Sequence, residues 1–343
     1  MKLSYQLISM RLKEPFISNK GTQTSVTQTL VSLQCGELTG LGTAVYAKEY
    51  GMTADKVAEA LDRCSAVISG ASPFEGERIL RDMEAVAGDQ PTAIAAVDIA
   101  VQDLVAKLAG EPLHRMWGLA GLPLPPTAVS LGSLPEEQLL ARAEQWRDWP
   151  ILKLKMTRDF KLDTLKRLRE TYNGRIWVDG NGLWSKDEAV HAAEYMAMAD
   201  VELLEQPIPS GSLEQLRYVS ERSPIPVIAD EDCRSPRDVL QLAGCVQGIN
   251  IKLLKCGGLT RAMEMARMAK HYGLRVMLGC KTESVLGITA VAQLGGLADY
   301  LDADGHMDLL DDPYKGLTVD RGMIILPENP GLGVERKGAV VYE

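Results

Sequence analysis

The sequence predicts an α/β protein in which a TIM-like barrel follows an α+β N-terminal block. Three observations predict it. From Thr127 onward, short β-branched or apolar runs recur about every 25 residues, each followed by an amphipathic stretch, the pattern of repeated βα units around a parallel sheet. Before that point the chain first alternates in the strand manner and then turns helical. Between the two styles lies Gly121–Pro126, rich in Pro and Gly, the natural junction.

Leu3, Tyr5, Leu7 and Ser9, then Gln28–Leu33, then Thr43–Tyr46, read as strands of a short antiparallel meander punctuated by Gly36, Gly40 and Gly42. Thr53–Ile68, Glu75–Val86 and Pro91–Leu108 read as helices, the last started by Pro91 and carrying Ala95, Val97, Ile99, Ala100 and Leu104 at near-helical spacing. The barrel runs are Thr127–Leu131, Ile151–Met156, Arg175–Val178, Val201–Leu204, Pro226–Ala229, Gly248–Leu254, Arg275–Leu278 and Tyr300–Ala303. Pro135–Trp146 supplies the first intervening helix. The helix after the eighth run is missing or irregular, so the barrel is written (β/α)7β. Gly322–Ile325 and Gly331–Tyr342 are expected to pack back on the N-terminal block. The expected division is residues 1–122, completed by 318–343, against a barrel of 123–317.

Acidic residues number 46 against 37 basic ones, a net charge of −9, which argues against nucleic acid or an anionic membrane as the main partner. Aromatics at 5% disfavour a base-stacking platform. No apolar stretch approaches the ~20 residues of a membrane span, and Met1–Lys13 has no apolar signal core. The six cysteines form no CxxC pair and read as buried reduced thiols of a cytoplasmic protein. The expected partner is a small-molecule substrate, with association into a homo-oligomer left open.

In such barrels the reactive groups sit at the C-terminal ends of the strands. The second run carries Lys153 and Lys155, two apart and therefore on one face. A surface strand would alternate in the same way, but two lysines pointing into a barrel need anions. The next three runs end in Asp179, Glu205 and Asp230, spaced by one βα repeat each. A lone Asp after a strand is commonly a helix cap. Three converging carboxylates repel unless a cation lies between them, and an oxygen-only set suits Mg²⁺ better than Zn²⁺. In the sixth run Lys252 shares parity with Asn250 and is taken as inward. Lys255, of opposite parity beside Gly257-Gly258, is kept as a loop or supporting residue. Lys155 and Lys252 would then flank a ligand, one taking a proton from a carbon and the other returning one on the opposite face. Burial and nearby positive charge are expected to lower their pKa values.

These residues resemble the enolase superfamily, and within it the muconate-lactonizing-enzyme subgroup, over essentially the whole chain. The resemblance implies that the N-terminal block is a capping domain and that Asp179, Glu205 and Asp230 bind Mg²⁺. It also implies that Lys155 and Lys252 are the acid/base pair and that Lys153 helps to neutralise a substrate carboxylate. The eighth run ends Asp302-Ala303-Asp304-Gly305, similar to the element by which dipeptide epimerases hold a substrate's N-terminal amine, although a capped turn into Gly305 would look alike. By that likeness the substrate is a dipeptide, epimerised at the α-carbon of its C-terminal residue through an ene-diolate.

The seventh run continues as Cys280-Lys281-Thr282-Glu283. Lys281 stands where relatives commonly carry methionine. Lys281, Glu283, and Lys20 on the Phe16–Thr24 loop expected to cover the site are candidate substrate contacts. A lysine there would suit a dipeptide of the Ala-Glu type, and solvated loop lysines remain the bland alternative. Rival readings on the same lysines and metal ligands are o-succinylbenzoate synthase, N-acylamino acid racemase and muconate cycloisomerase. A non-catalytic metal-binding barrel has no need of opposed lysines. No histidine lies on the seventh run, which disfavours His/Asp-dependent chemistry.

Overall fold

The computed structural model describes residues 1–18 and 21–338. An antiparallel sheet opens the chain: β1 (Lys2–Ser18), β2 (Gly21–Cys35) and β3 (Leu38–Val45), hydrogen-bonded in that order. Three helices follow, α1 (Ala54–Ile68), α2 (Gly76–Ala87) and α3 (Pro91–Ala109), and their apolar faces share one core with the inner face of the sheet. The helices match expectation within a residue or two. The strands run much longer than their alternation suggested, because residues 21–25 of β2 are exposed on both faces and leave no burial pattern to read. A Cβ at Gly42 would stand 1.9 Å from the Ala96 carbonyl oxygen, and one at Gly40 would stand 2.0 Å from that of Ala100. The two glycines therefore let β3 lie directly against the backbone of α3.

After a single helical turn, α4 (Leu113–Met116), the chain enters the barrel. Its strands are β4 (Val129–Leu131), β5 (Ile151–Lys155), β6 (Arg175–Asp179), β7 (Val201–Glu205), β8 (Val227–Ala229), β9 (Gly248–Ile251), β10 (Arg275–Gly279) and β11 (Tyr300–Asp302). They form one eight-stranded sheet in sequential order, parallel throughout. The ring closes where the Ala128 amide donates to the Leu301 carbonyl at 2.9 Å. Helices α5 (Glu136–Gln145), α6 (Asp163–Thr171), α7 (Lys186–Met198), α8 (Leu213–Arg222) and α9 (Pro236–Leu242) alternate with the strands. One expectation needs correction: the sixth run does not stay extended to Leu254. The strand stops at Ile251 and Leu253–Cys256 coil into a short helix, α10, before α11 (Leu259–His271) begins. Gly257 and Gly258, at φ 93° and 118°, make the reversal into α11 possible.

Strand alternation sorts the barrel wall into two columns. The outward residues, such as Leu152, Leu154, Ile176, Val178, Ile249 and Ile251, pack against the helices. The lowest inward residues, Ala128, Ile151, Trp177, Leu203, Ile228, Met277 and Tyr300, form an apolar plug inside the ring. Two positions further along, the same column becomes polar on every barrel strand but β10, where Gly279 stands.

Helix α12 (Val285–Ala292) separates β10 from β11, and an irregular segment follows β11 as expected. Further on, β12 (Tyr314–Lys315) pairs with β15 (Glu335–Arg336), and β13 (Thr318–Asp320) forms a hairpin with β14 (Met323–Ile325). The tail divides its contacts. Gly322 of the hairpin accepts from the Thr127 amide at the barrel's lower rim, whereas Leu332 donates to Asp103 of α3 at 2.7 Å. Among the described residues no helix is long and apolar enough to cross a membrane, and all six cysteines are free thiols.

Candidate active site

The polar layer above the plug is a connected set of lysines and carboxylates. Asp179 and Glu205 end β6 and β7, and Asp230 follows β8; all three are buried. Lys153 Nζ lies 2.6 Å from Asp302 Oδ2, 2.6 Å from Glu205 Oε2 and 3.4 Å from Asp179 Oδ2. Lys155 pairs with Asp179 Oδ2, and Lys252 Nζ lies 2.8 Å from Asp230 Oδ2. From β5 to β9 is four steps in a ring of eight strands, so Lys155 and Lys252 face each other across the barrel.

The carboxylates share one arrangement. In each, one oxygen is tied to a fixed donor and the other meets the lysines. Asp179 Oδ1 accepts from the Asn181 amide at 2.9 Å, Glu205 Oε1 from Asn250 Nδ2 at 2.9 Å, and Asp230 Oδ1 from Lys255 at 2.5 Å. The backbone cooperates. Gln206 directly after Glu205 and Asn181 two residues after Asp179 have φ of 34° and 43°, a conformation that costs about 1 kcal/mol or more outside glycine and tends to persist at functional sites. Gln206 also accepts from the Asp230 amide at 2.9 Å.

Burial drives Glu205 up to about 7, and the neighbouring Asp179 charge adds to it. Burial also opposes the charge on Asp179, yet Lys155 and Lys153 outweigh it and hold that carboxyl at about 2. Asp230 is held well below the usual carboxylate range, since Lys252 and Lys255 overcome its burial. The expected lowering of the lysine pKa values assumed a metal ion alongside; among the protein's own groups the direction for Lys252 is the reverse. Burial pulls it down, but Asp230 and Glu205 outweigh burial and hold it well above the ordinary lysine value.

Among the described residues no three His, Cys, Asp or Glu side chains already form a metal cage; the lysines draw Asp179 and Asp230 toward themselves. The donor set nonetheless fits a hard divalent cation. It offers buried carboxylate oxygens, the donors such an ion prefers. Glu205 Oε2 is buried without a well-oriented hydrogen bond, although Lys153 is near. Crowding that leaves one acid at about 7 is what a cation would relieve.

A cavity of about 560 Å³ opens above this layer, and Lys155, Lys252, Asp302, Asp304 and Lys281 line it. Phe16, Thr22 and Gln23 of the β1–β2 arms and Glu49 from the segment after β3 roof it. The arms are fixed over the mouth, with the Lys13 amide donating to Asp308 and the Ser133 amide to Ile17. Lys20 lies outside the described residues. Asp304 Oδ2 accepts from the Ser130 amide at 2.5 Å, and Asp302 Oδ1 from Ser130 Oγ at 3.3 Å. Burial, then the Asp302 charge, drives Asp304 up to about 7. Asp302 stays below its usual value because Lys153 and Lys155 prevail over burial.

Three sequence expectations change here. Lys153 is fully buried among the protein's own carboxylates and does not line the cavity, so it neutralises those groups directly. Glu283 is buried, accepts from the Lys281 amide at 3.3 Å and does not line the cavity. Lys281 does line it, but its Nζ lies 2.5 Å from Glu49 Oε1, so the protein supplies the carboxylate that a substrate was expected to bring. Ser130 and Gln206 were not foreseen. Gln206 repeats a legible signal, a polar residue just past a strand end, whereas Ser130 is the inward polar residue in the middle of β4.

The chain thus sets Lys-x-Lys on β5, three strand-end carboxylates and an opposed lysine after β9 at one end of an enolase-type barrel. The chain belongs to the mandelate racemase/muconate lactonizing enzyme family: its N-terminal domain matches residues 6–118, and the enolase C-terminal domain-like fold matches residues 138–340. It is 32% identical over 336 residues to L-Ala-D/L-Glu epimerase of Bacteroides thetaiotaomicron, covering 97% of this chain and 88% of that one. The dipeptide epimerase of Enterococcus faecalis V583, solved with Mg and L-Leu-L-Tyr, superposes with a TM-score of 0.93 at 29% identity over 98% of this chain and 99% of its own. That of Methylococcus capsulatus, solved with Mg and L-Arg-D-Lys, gives 0.90 at 30% identity over 97% and 99%.

Proposed function

We propose that this chain is a Mg²⁺-dependent dipeptide epimerase, an isomerase that inverts the α-carbon of the C-terminal residue of a dipeptide. The observation that carries the reading is the pair Lys155 and Lys252, set on opposite walls of one cavity whose third wall is Asp302 and Asp304. Relatives that act on or hold Ala-Glu, Leu-Tyr and Arg-Lys dipeptides support the dipeptide backbone as the common element.

Asp179, Glu205 and Asp230 would hold the ion. Bound there, Mg²⁺ supplies positive charge to the substrate carboxylate and so makes the adjacent α-proton easier to remove. Asp302 and Asp304 receive the dipeptide's ammonium group, and Ser130 fixes both carboxylates in place. This leaves the α-carbon between the two lysines. One lysine, neutral, takes the α-proton; the other, as ammonium, delivers a proton to the opposite face. Lys252 stands at the cavity wall, its ammonium group paired with Asp230. The plug beneath keeps water from the lower end of the barrel.

The rival activities on this framework give Asp302 and Asp304 no ammonium group to bind. The test is α-proton exchange in D₂O, followed by NMR, over a library of dipeptides with Mg²⁺. The wild type should deuterate and invert the C-terminal α-carbon. Lys155→Ala and Lys252→Ala should each lose about 10²- to 10⁴-fold in inversion. Exchange with no dipeptide, or exchange that survives in the double variant, would overturn the reading.

A further inference from the structure

Lys255 has no part in the proton transfer just described, yet it is among the most enclosed charges in the protein. Its side chain is 1% exposed and does not line the cavity. Its Nζ donates to Asp230 Oδ1 at 2.5 Å, to the Asp230 carbonyl, and to the Asn250 carbonyl at 3.2 Å. An ammonium has three protons, and three acceptors stand around this one.

We propose that Lys255 is a positioning residue for the metal site, clamping Asp230 from behind so that Oδ2 is the oxygen presented to Mg²⁺. The inference rests on reading Asp179, Glu205 and Asp230 as the Mg²⁺ ligands. Asp179 and Glu205 have one oxygen tied by a neutral amide, from Asn181 and Asn250. Among the described residues no such amide reaches the Asp230 side chain, and its own main-chain amide is engaged by Gln206. Lys255 fills that place with a charged donor. It also reaches the second ligand, because Asn250, whose carbonyl it grips, holds Glu205 through its side chain. One ammonium group thus sets the orientation of two of the three carboxylates.

The position follows from the backbone. Lys255 has the wrong parity to point inward from an extended β9. It reaches Asp230 because the chain coils into α10 at Leu253 and turns back under the strand end.

Calorimetric titration of the full-length protein with MgCl₂, without dipeptide, separates this role from simple core packing. Lys255→Met should weaken Mg²⁺ binding by roughly 10- to 100-fold, the loss typical when a ligand's hydrogen-bonding support is removed. Lys255→Arg, which keeps the charge but not the three-way geometry, should restore part of that loss. A folded Lys255→Met that binds Mg²⁺ within twofold of wild type, whatever its thermal midpoint, would overturn the clamp. Should the Met variant fail to fold, the wild-type crystal structure with Mn²⁺ decides. Asp230 on the ion through Oδ2 with Oδ1 still on Lys255 supports the proposal, and ligation through Oδ1 or through both oxygens refutes it. A wild type that takes up neither ion would sink the metal-site reading itself, and the clamp with it.

Discussion

Asp304 makes the dipeptide's grip on the site dependent on pH. Its carboxyl is driven up to about 7 by burial and then by Asp302, so it is neutral below that pH and an anion above it. Only the anion forms an ion pair with an ammonium group. The peptide's own amine, with an ordinary pKa near 7.7–8.0, is charged throughout the acid range. The ionised fraction of Asp304 is then about one in ten at pH 6 and about one in a hundred at pH 5. KM for a dipeptide should therefore fall about tenfold per unit from pH 5 to 6 and level off above 7, rising again once the amine loses its proton. Initial rates of epimerisation at saturating Mg²⁺ measure this. Glu205 also titrates near 7, so two controls isolate the amine site. Asp304→Asn should raise KM at pH 7.5 and remove its acid-side slope, and an N-acetyl dipeptide, which has no ammonium, should show no slope. An unchanged slope in Asp304→Asn would refute the assignment.

Other outcomes are equally concrete. Gly42→Ala places a Cβ 1.9 Å from the Ala96 carbonyl, and forcing α3 off the sheet should cost about 1–3 kcal/mol, read as a lower urea midpoint with kcat unchanged in the folded fraction. Lys281→Met removes the cation that pairs with Glu49. With Glu49 no longer balanced by that cation, its charge should repel acidic C-terminal side chains and shift discrimination in kcat/KM roughly two- to fivefold toward apolar ones, the scale of a part-exposed ion pair. Chelation of divalent ions should abolish exchange. Returning Mg²⁺ should restore it and raise the thermal midpoint, by about 2.7 kcal/mol of stability at a hundredfold excess over Kd.

The barrel was legible because its strands repeat a simple word. Each pairs outward aliphatics with an inward column, and the spacing from Asp179 to Glu205 to Asp230 follows the repeat. Lys155 and Lys252 were legible for the same reason, since parity alone aims them inward. What parity cannot show is a side chain that arrives by a turn. Lys255 falls on the wrong face of an extended strand and becomes functional only when residues 253–256 coil. Composition likewise could not show that Glu49, some 230 residues away in sequence, answers Lys281, because that contact exists only once the roof is folded over the barrel. The long arms of β1 and β2 were underestimated because they lie over a mouth and bury no continuous face.

The apolar plug at the foot of the barrel sets the traffic of hydrogen isotopes. With Ala128, Ile151, Trp177, Leu203, Ile228, Met277 and Tyr300 closing the lower end, the lysine ammonium groups can trade protons with bulk water only through the roofed mouth. A proton lifted from substrate therefore reaches bulk water by way of the mouth and not through the foot of the barrel. The ratio of internal return to solvent deuterium uptake in a single turnover therefore measures how freely water reaches the lysines through that mouth.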